Sequence, residues 1–382
     1  MKKIRASSFA ILVFAFLLVS FGIKMLSLFG VEKKLQGYMG SLSENGNFVR
    51  FAVASETPAV KSEAGNEMLE VIVSETAVKV KERPLENVQT VGEMENGGMT
   101  GEKEQLTVWE YTPGGERKEK TYPIENVTIN PVSSKGYVTY ENIWVKNDSS
   151  KGIDLKWLLG AKLPFKFVGE GPHVLIIHTH GSESYFPQGK DSYALTDVER
   201  TEDKRYNVVS VGDELENTLR ENGVSVIHDR NIYDSPSYNG SYTRALTSIG
   251  ETLKKYPSIK VVLDIHRDAM TAADGVKYRT VADVNGKRVA QMMLVMSAGE
   301  SSLPHPDWAQ NLKLAVKLQN AMASKYPGVM RPINLRKERF NMHATKGSML
   351  IEVGTSANSL SEAKESVKLL GKELSEILKK AK

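Results

Sequence analysis

The pattern of apolar and polar positions divides the chain into segments of different character. After an apolar N terminus, residues 31–105 are polar with no sustained period, which predicts a low-order spacer. Residues 106–170 hold short runs rich in Val, Thr, Tyr and Trp between turn residues, which predict a small β-rich lead-in. In residues 171–382, short apolar runs alternate with amphipathic stretches. This alternation predicts an α/β domain with a mostly parallel sheet flanked by helices.

The apolar run from Phe9 to Ile23 is long enough to be the core of a signal peptide or a membrane span. Three basic residues precede it, and no small-residue cleavage pattern follows it closely. We therefore predict an uncleaved, single-pass transmembrane anchor in residues 1–30, with the basic end inside the cell. A cleaved signal peptide is the alternative. In both cases the body of the chain is exported.

Composition narrows the chemistry that this exported body can perform. The chain has 382 residues, of which 41% are hydrophobic and 25% charged, so it can form one large core. It has no cysteine, which excludes disulfide bonds and thiolate metal sites and leaves His, Asp and Glu as the strong ligands. The net charge of +4 is too small and too dispersed to indicate nucleic acid binding.

The motif HVLIIHTHGSES, residues 173–184, joins an apolar strand to side chains that bind metals. The run from Val174 to Ile177 leads directly into His178, His180 and Glu183. In α/β folds, ligands bind in the crevice beyond the carboxyl ends of the strands. Histidines at i and i+2 point to the same side of an extended chain, and imidazole with carboxylate suits zinc. Ordinary polar residues at a strand end are the alternative reading.

A second apolar strand, from Val261 to Ile265, ends in the same way and is followed by His266. If both strands are parallel and central, their tips lie on one edge of the sheet, so His266 can meet His180 and Glu183. Two histidines and one carboxylate leave the fourth zinc position open for water. The sequence therefore predicts a catalytic zinc site at this edge.

Four further residues are candidates for roles at this predicted zinc site. Glu352 ends the apolar strand GSMLIEVG and is predicted to be the general base, with pairing to an arginine or capping of the next helix as alternatives. Arg267 is predicted to neutralise a substrate carboxylate or an oxyanion, with a solvated surface arginine as the alternative. Asp264 either orients a ligand or forms a salt bridge. His178 stays open as a metal ligand, a substitute for His180, or a core histidine.

Three motifs, HVLIIHTHGSESY, VVLDIHRDA and SMLIEVGTSANSLSEA, in this order behind an N-terminal anchor, resemble the stage II sporulation protein P family of endospore-forming bacteria. The resemblance covers roughly residue 153 to the C terminus. It implies a zinc-dependent N-acetylmuramoyl-L-alanine amidase that degrades septal peptidoglycan during engulfment, and endopeptidase activity as well. By motif, His180, Glu183 and His266 would hold the metal and Glu352 would be the catalytic acid and base.

The same resemblance implies partners and a location. The partners would be peptidoglycan of the septal wall and the other engulfment proteins, stage II sporulation proteins D and M. Together with the predicted anchor, this would place the catalytic domain, residues 171–382, outside the cytoplasmic membrane.

Two other functions fit part of the sequence pattern. A zinc carboxypeptidase also combines HxxE with a distant His and a later Glu, and Arg267 would then bind a terminal carboxylate. A membrane-tethered scaffold that binds the wall without turnover is the non-enzymatic alternative. The apparently complete set of ligands and base favours an enzyme.

Overall fold

The structure is a computed structural model that describes residues 89–90 and 120–381, all within the unit Met68–Lys382. The predicted anchor lies outside these ranges, and so does the predicted spacer apart from residues 89–90. Among the described helices, none combines the length and the apolar character that crossing a membrane requires.

The described residues form strands and helices that alternate along much of the chain. The strands are β1 (Gln89–Thr90), β2 (Thr121–Val127), β3 (Tyr137–Tyr140), β4 (Ile143–Asn147), β5 (Val174–Ile177), β6 (Ser192–Ala194), β7 (Val226–His228), β8 (Val261–Asp268), β9 (Met270–Thr271), β10 (Lys277–Val284), β11 (Lys287–Ala290), β12 (Met292–Ser297), β13 (Ile333–Arg336) and β14 (Met349–Thr355). The helices are α1 (Leu155–Gly160), α2 (Val208–Glu221), α3 (Ser241–Lys255), α4 (Trp308–Lys325) and α5 (Leu360–Lys379), with a short 3-10 turn at Met342–Ala344.

These strands build two mixed sheets. The larger has the order β3-β4-β13-β12-β14-β8-β5-β7, and the smaller has the order β1-β9-β10-β2-β6 with β11 beside β10. The prediction of an α/β fold is confirmed, but the prediction of a mostly parallel sheet is wrong. In the larger sheet β3 runs antiparallel to β4, and β12 runs antiparallel to β14. Between β8 and β12 the chain turns in short hairpins instead of crossover helices, so strand direction reverses.

The predicted lead-in and the predicted catalytic domain share both sheets. Strands β3 and β4 extend the larger sheet through the β4–β13 pairing, and β2 lies between β10 and β6 in the smaller sheet. The boundary predicted at residue 170 therefore falls between strands of common sheets. The domain boundaries themselves stay predictions.

Helices bury the central strands of the larger sheet. Strands β5 and β8 are buried along their whole length because both faces of the sheet are covered. Leu215 and Leu219 of α2 and Leu370 and Leu374 of α5 are buried in the same core cluster. Helix α5 begins with the predicted capping box, in which Ser359 and Glu362 bond reciprocally. This burial fixes the tips of neighbouring strands side by side.

Candidate functional site

The carboxyl ends of β5, β8 and β14 meet at one edge of the larger sheet. The three strands are adjacent and parallel, with β8 in the middle. In their register, Glu352 lies opposite His266, and Ile177 lies opposite Asp264. The sheet thus brings together the strand ends from which the sequence predicted a site.

His266 lies between two carboxylates. Its Nε2 atom is 3.0 Å from Oδ1 of Asp264, and its Nδ1 atom is 3.5 Å from Oε2 of Glu183. Burial opposes protonation of His266, but the two carboxylates outweigh it and raise the pKa well above its usual value. Burial likewise opposes ionisation of Glu183, but His266 and Arg267 hold the pKa of Glu183 well below its usual range. His266, Asp264 and Glu183 therefore form one buried cluster of interacting charged side chains.

Asp264 is fixed by the residue between the two histidines of the first motif. The backbone N–H of Thr179 donates to Oδ1 of Asp264 at 2.8 Å, and the Thr179 hydroxyl donates to Oδ2 at 2.6 Å. A carboxylate on one imidazole nitrogen sets the tautomer and leaves the other nitrogen for a metal. Asp264 therefore contacts His266 from a fixed position, which fits both predicted readings of Asp264, orientation of a ligand and a salt bridge. No sequence pattern indicated the role of Thr179.

His180 lies in an aromatic enclosure beside His266. Its ring stacks on Tyr238, with ring centroids 4.4 Å apart and an interplanar angle of 2°, and meets the edge of Tyr242. The rings of His180 and His266 are 5.3 Å apart and nearly perpendicular. Asp234 lies 4.0 Å from Nδ1 of His180. Sequence reasoning missed Tyr238 and Asp234, which come from a loop without a regular pattern, and Tyr242, which lies in the first turn of α3.

The imidazole and carboxylate groups of His180, Glu183 and His266 are ligand types that zinc prefers, and one of their separations also suits zinc. Two ligands of one tetrahedral zinc ion are about 3.4 Å apart, close to the 3.5 Å between Glu183 and His266. All three predicted ligands, including His180, are buried. The ligand atoms of His180, Glu183 and His266 do not all lie within 4.8 Å of one another, so zinc binding at this site would have to draw the three side chains closer together.

Glu352 presents a carboxylate to the same cluster. Its Oε2 atom is buried and has no hydrogen-bond partner among the described residues. Burial and the neighbouring Asp268 raise the pKa of Glu352 well above its usual value. Directly after Glu352 the β8–β14 register shifts, and Gly354 adopts a φ of 68°. Bulges of this kind re-aim side chains near functional sites.

The side chain of Arg267 donates hydrogen bonds to backbone carbonyls of the same chain. Its Nε donates to the carbonyl of Ser184 at 3.1 Å, and its guanidinium also donates to the carbonyl of Glu199 at 2.9 Å. The residue is buried, so the reading as a solvated surface arginine does not hold. These bonds hold the loop that follows Glu183 in place. The predicted catalytic role of Arg267 stays a prediction.

His178 pairs with a histidine of another strand. Its Nδ1 donates to the carbonyl of Ile265 at 3.0 Å, and its Nε2 lies 2.8 Å from Nε2 of His228. Burial lowers the pKa of both histidines to about 3. This geometry favours His180 as the ligand and gives His178 a core position, although its role as a ligand stays open.

Comparison with known proteins places the chain in a family. Residues 48–375 match the family model of stage II sporulation protein P. The chain belongs to this family. Stage II sporulation protein P of Bacillus subtilis (strain 168) is 27% identical over 210 residues, which cover 52% of this chain. The match spans 49% of that relative, about half of its length.

Solved structures similar to this family member include two amidases. They include AmiC2 of Nostoc punctiforme, an N-acetylmuramoyl-L-alanine amidase, with 12% identity, a TM-score of 0.32 and coverage of 56% of this chain and 98% of that one. The CwlD amidase from Clostridioides difficile in complex with the GerS lipoprotein has 14% identity, a TM-score of 0.31 and coverage of 55% and 98%. At these scores the likeness identifies neither the reaction nor the metal.

A second group of possible ligands in this stage II sporulation protein P family member is formed by two residues of α2 and the last residue of β7. Ligand atoms of Asp213, Glu216 and His228 all lie within 4.8 Å of one another, so by distance they could hold a metal ion. Arg230 donates to both carboxylates, and Arg220 donates to Glu216 as well. The arginines neutralise the acidic groups, so these contacts form a salt-bridge network.

The His178–His228 pair predicts the effect of a substitution in α2. A Cβ atom at Gly212 would lie 2.6 Å from Nε2 of each histidine. We expect Gly212→Ala to lower the free energy of unfolding by about 1–3 kcal/mol, because overpacking outweighs the gain in helix propensity. The control is Gly250→Ala in α3, where no atom lies within 4 Å of the added Cβ and a small gain is expected. Urea denaturation measures both, and equal stabilisation of the two variants would contradict the contact.

Proposed function

We propose that this chain is a zinc-dependent peptidoglycan hydrolase that cleaves the amide between N-acetylmuramic acid and L-alanine during engulfment. One observation carries the proposal: His266, in contact with Asp264, faces Glu183 beside His180, with the buried and unpartnered Oε2 atom of Glu352 at the adjoining strand tip. Membership of the stage II sporulation protein P family supports the biological setting.

In this mechanism each residue has a separate task. His180, Glu183 and His266 would hold zinc, and zinc when bound polarises a carbonyl and makes water nucleophilic near neutral pH. Asp264 would hold Nε2 of His266 and leave Nδ1, the atom that faces Glu183, for the metal. Glu352 accepts the proton of the attacking water and delivers it to the departing nitrogen. A raised pKa suits this exchange because the carboxyl must both take up and release a proton.

The contacts of Arg267 favour the amidase over a carboxypeptidase. A carboxypeptidase needs a cation that binds the terminal carboxylate of its substrate. The guanidinium of Arg267 already donates to the carbonyls of Ser184 and Glu199 and is buried. Gripping a carboxylate would require breaking these bonds.

Product analysis tests the proposed reaction. We expect the full chain with zinc to release intact stem peptides from purified sacculi, identified by mass spectrometry. Loss of a single terminal residue would indicate a carboxypeptidase instead, and binding without release would indicate a scaffold. Cleaved cross-bridges would add the endopeptidase activity that the family resemblance implies.

The cellular setting is part of the same proposal. Residues 1–30 would anchor the chain in the cytoplasmic membrane, and its body would face the septal wall outside the cytoplasm. Stage II sporulation proteins D and M would be its partners. Fractionation with protease protection tests the location, and the proposed topology requires the C-terminal body to be digested from outside.

A further inference from the structure

We propose that Tyr238 is a positioning residue of the metal site, which holds the imidazole of His180 in one plane for zinc. The inference rests on the proposed function, because it concerns a ligand of the proposed zinc ion. The tyrosine ring lies parallel to the imidazole at a centroid distance of 4.4 Å, with 2° between the planes. Such a stack opposes rotation of the imidazole out of the plane parallel to the tyrosine ring, because tilting would lose the face-to-face contact.

Tyr238 also contacts Arg200. The guanidinium carbon of Arg200 lies 4.9 Å from the centre of the Tyr238 ring, a cation–π contact. Arg200 is itself held by Asp234, with 2.8 Å between Nη1 and Oδ2. Asp234 also accepts hydrogen bonds from the backbone N–H and the hydroxyl of Ser182. These contacts join the Tyr238 loop to the segment that carries the predicted ligands.

Arg200 also contacts a predicted ligand directly. Its Nη2 atom lies 3.7 Å from Oε1 of Glu183. The contacts of Tyr238 and Arg200 therefore link two of the predicted ligands, His180 and Glu183.

The hydroxyl of Tyr238 contributes nothing to this contact. It is buried and has no hydrogen-bond partner among residues 89–90 and 120–381. Positioning should therefore depend on the ring alone and survive replacement by phenylalanine. This separates the proposal from a structural role for the tyrosine hydroxyl, which phenylalanine would abolish.

Zinc affinity of the full chain tests the inference, with the metal alone as the probe. Affinity is measured by competition with a chromophoric chelator, and circular dichroism checks the fold of each variant. We expect Tyr238→Leu to weaken zinc binding about tenfold, the lower end of the effect of removing a group that supports a ligand. We expect Tyr238→Phe to change the affinity less than about twofold, because the ring is kept.

Tyr206→Leu is the matched control. Tyr206 is an exposed tyrosine under the guanidinium of Arg205, at 5.2 Å, so it repeats the cation–π pair without a histidine beneath it. Its replacement should leave zinc affinity unchanged. If Tyr238→Leu does not fold, Tyr238→Met removes the ring with an unbranched side chain and takes its place.

Three results would overturn the inference. Wild-type zinc affinity in the folded Leu or Met variant would show that the ring does not position His180. Equal loss in Tyr238→Phe and Tyr238→Leu would assign the effect to the hydroxyl. A wild-type chain that binds no zinc would overturn the proposed function together with this inference, whereas the first two results would leave zinc-dependent hydrolysis by the wild type intact.

Discussion

Glu352→Gln is expected to abolish wall hydrolysis while the chain remains folded and binds zinc. Glutamine keeps the shape of the side chain but cannot accept a proton, and loss of a general base typically lowers turnover by about 10²–10⁴-fold. The buried, unpartnered Oε2 atom indicates that the carboxylate serves chemistry instead of stabilising the fold. Release of stem peptides from sacculi and zinc affinity measure the two effects. Hydrolysis at the wild-type rate would remove Glu352 from the mechanism.

The same substitution should stabilise the fold at neutral pH. Burial and Asp268 raise the folded-state pKa of Glu352 above its unfolded value. A raised folded pKa means that the contribution of this group is fully present below the unfolded pKa and is lost as pH rises through the folded pKa. Glutamine stays neutral throughout, so the gain in unfolding free energy should grow with pH and reach about 1 kcal/mol or more.

Glu221→Gln is the control for the stability measurement. Glu221 is the exposed last residue of α2, so the same chemical change there should alter neither unfolding nor hydrolysis. Denaturation of both variants at pH 5 and pH 8 checks the expected trend. A stability gain for Glu352→Gln that is equal at both pH values would contradict the assigned cause.

The ends of the central strands were predictable from the sequence because strands buried on both faces are continuously apolar. Continuous apolar runs such as those of β5 and β8 can be buried on both faces only in the middle of a sheet. Polar residues directly after such runs must emerge at the sheet edge, which is how His266 and Glu352 could be assigned to one place. In the structure, His266 and Glu352 lie directly opposite each other on the neighbouring strands β8 and β14.

Strand direction and loop contacts were not predictable in the same way. An apolar run such as β12 fits a parallel or an antiparallel neighbour equally well, and only the length of its connections decides. Tyr238 and Asp234 come from an irregular loop in which no period relates one side chain to another. Their contacts with His180 and Arg200 depend on the path of that loop over the sheet edge.

The strand periodicity that placed His178 and His180 on one side does not hold at these two positions. Residues at i and i+2 share a side only while the chain stays extended. Strand β5 ends at Ile177, so His178 and His180 already lie in the turn that follows. The first histidine turns toward His228 beneath α2, and the second turns toward His266.

Replacing each of these histidines with alanine should therefore give opposite results. We expect His180→Ala to lower zinc affinity at least about 100-fold, because a ligand is lost, with stem-peptide release lost as well. His178→Ala should keep zinc but lower the free energy of unfolding by about 2–3 kcal/mol, since it leaves a cavity and removes the partner of the buried Nε2 atom of His228. Chelator competition and urea denaturation measure the two quantities on both variants. If His178→Ala loses zinc while His180→Ala retains it, the ligand assignment must be exchanged, because the stack on Tyr238 would then hold a histidine that binds no metal.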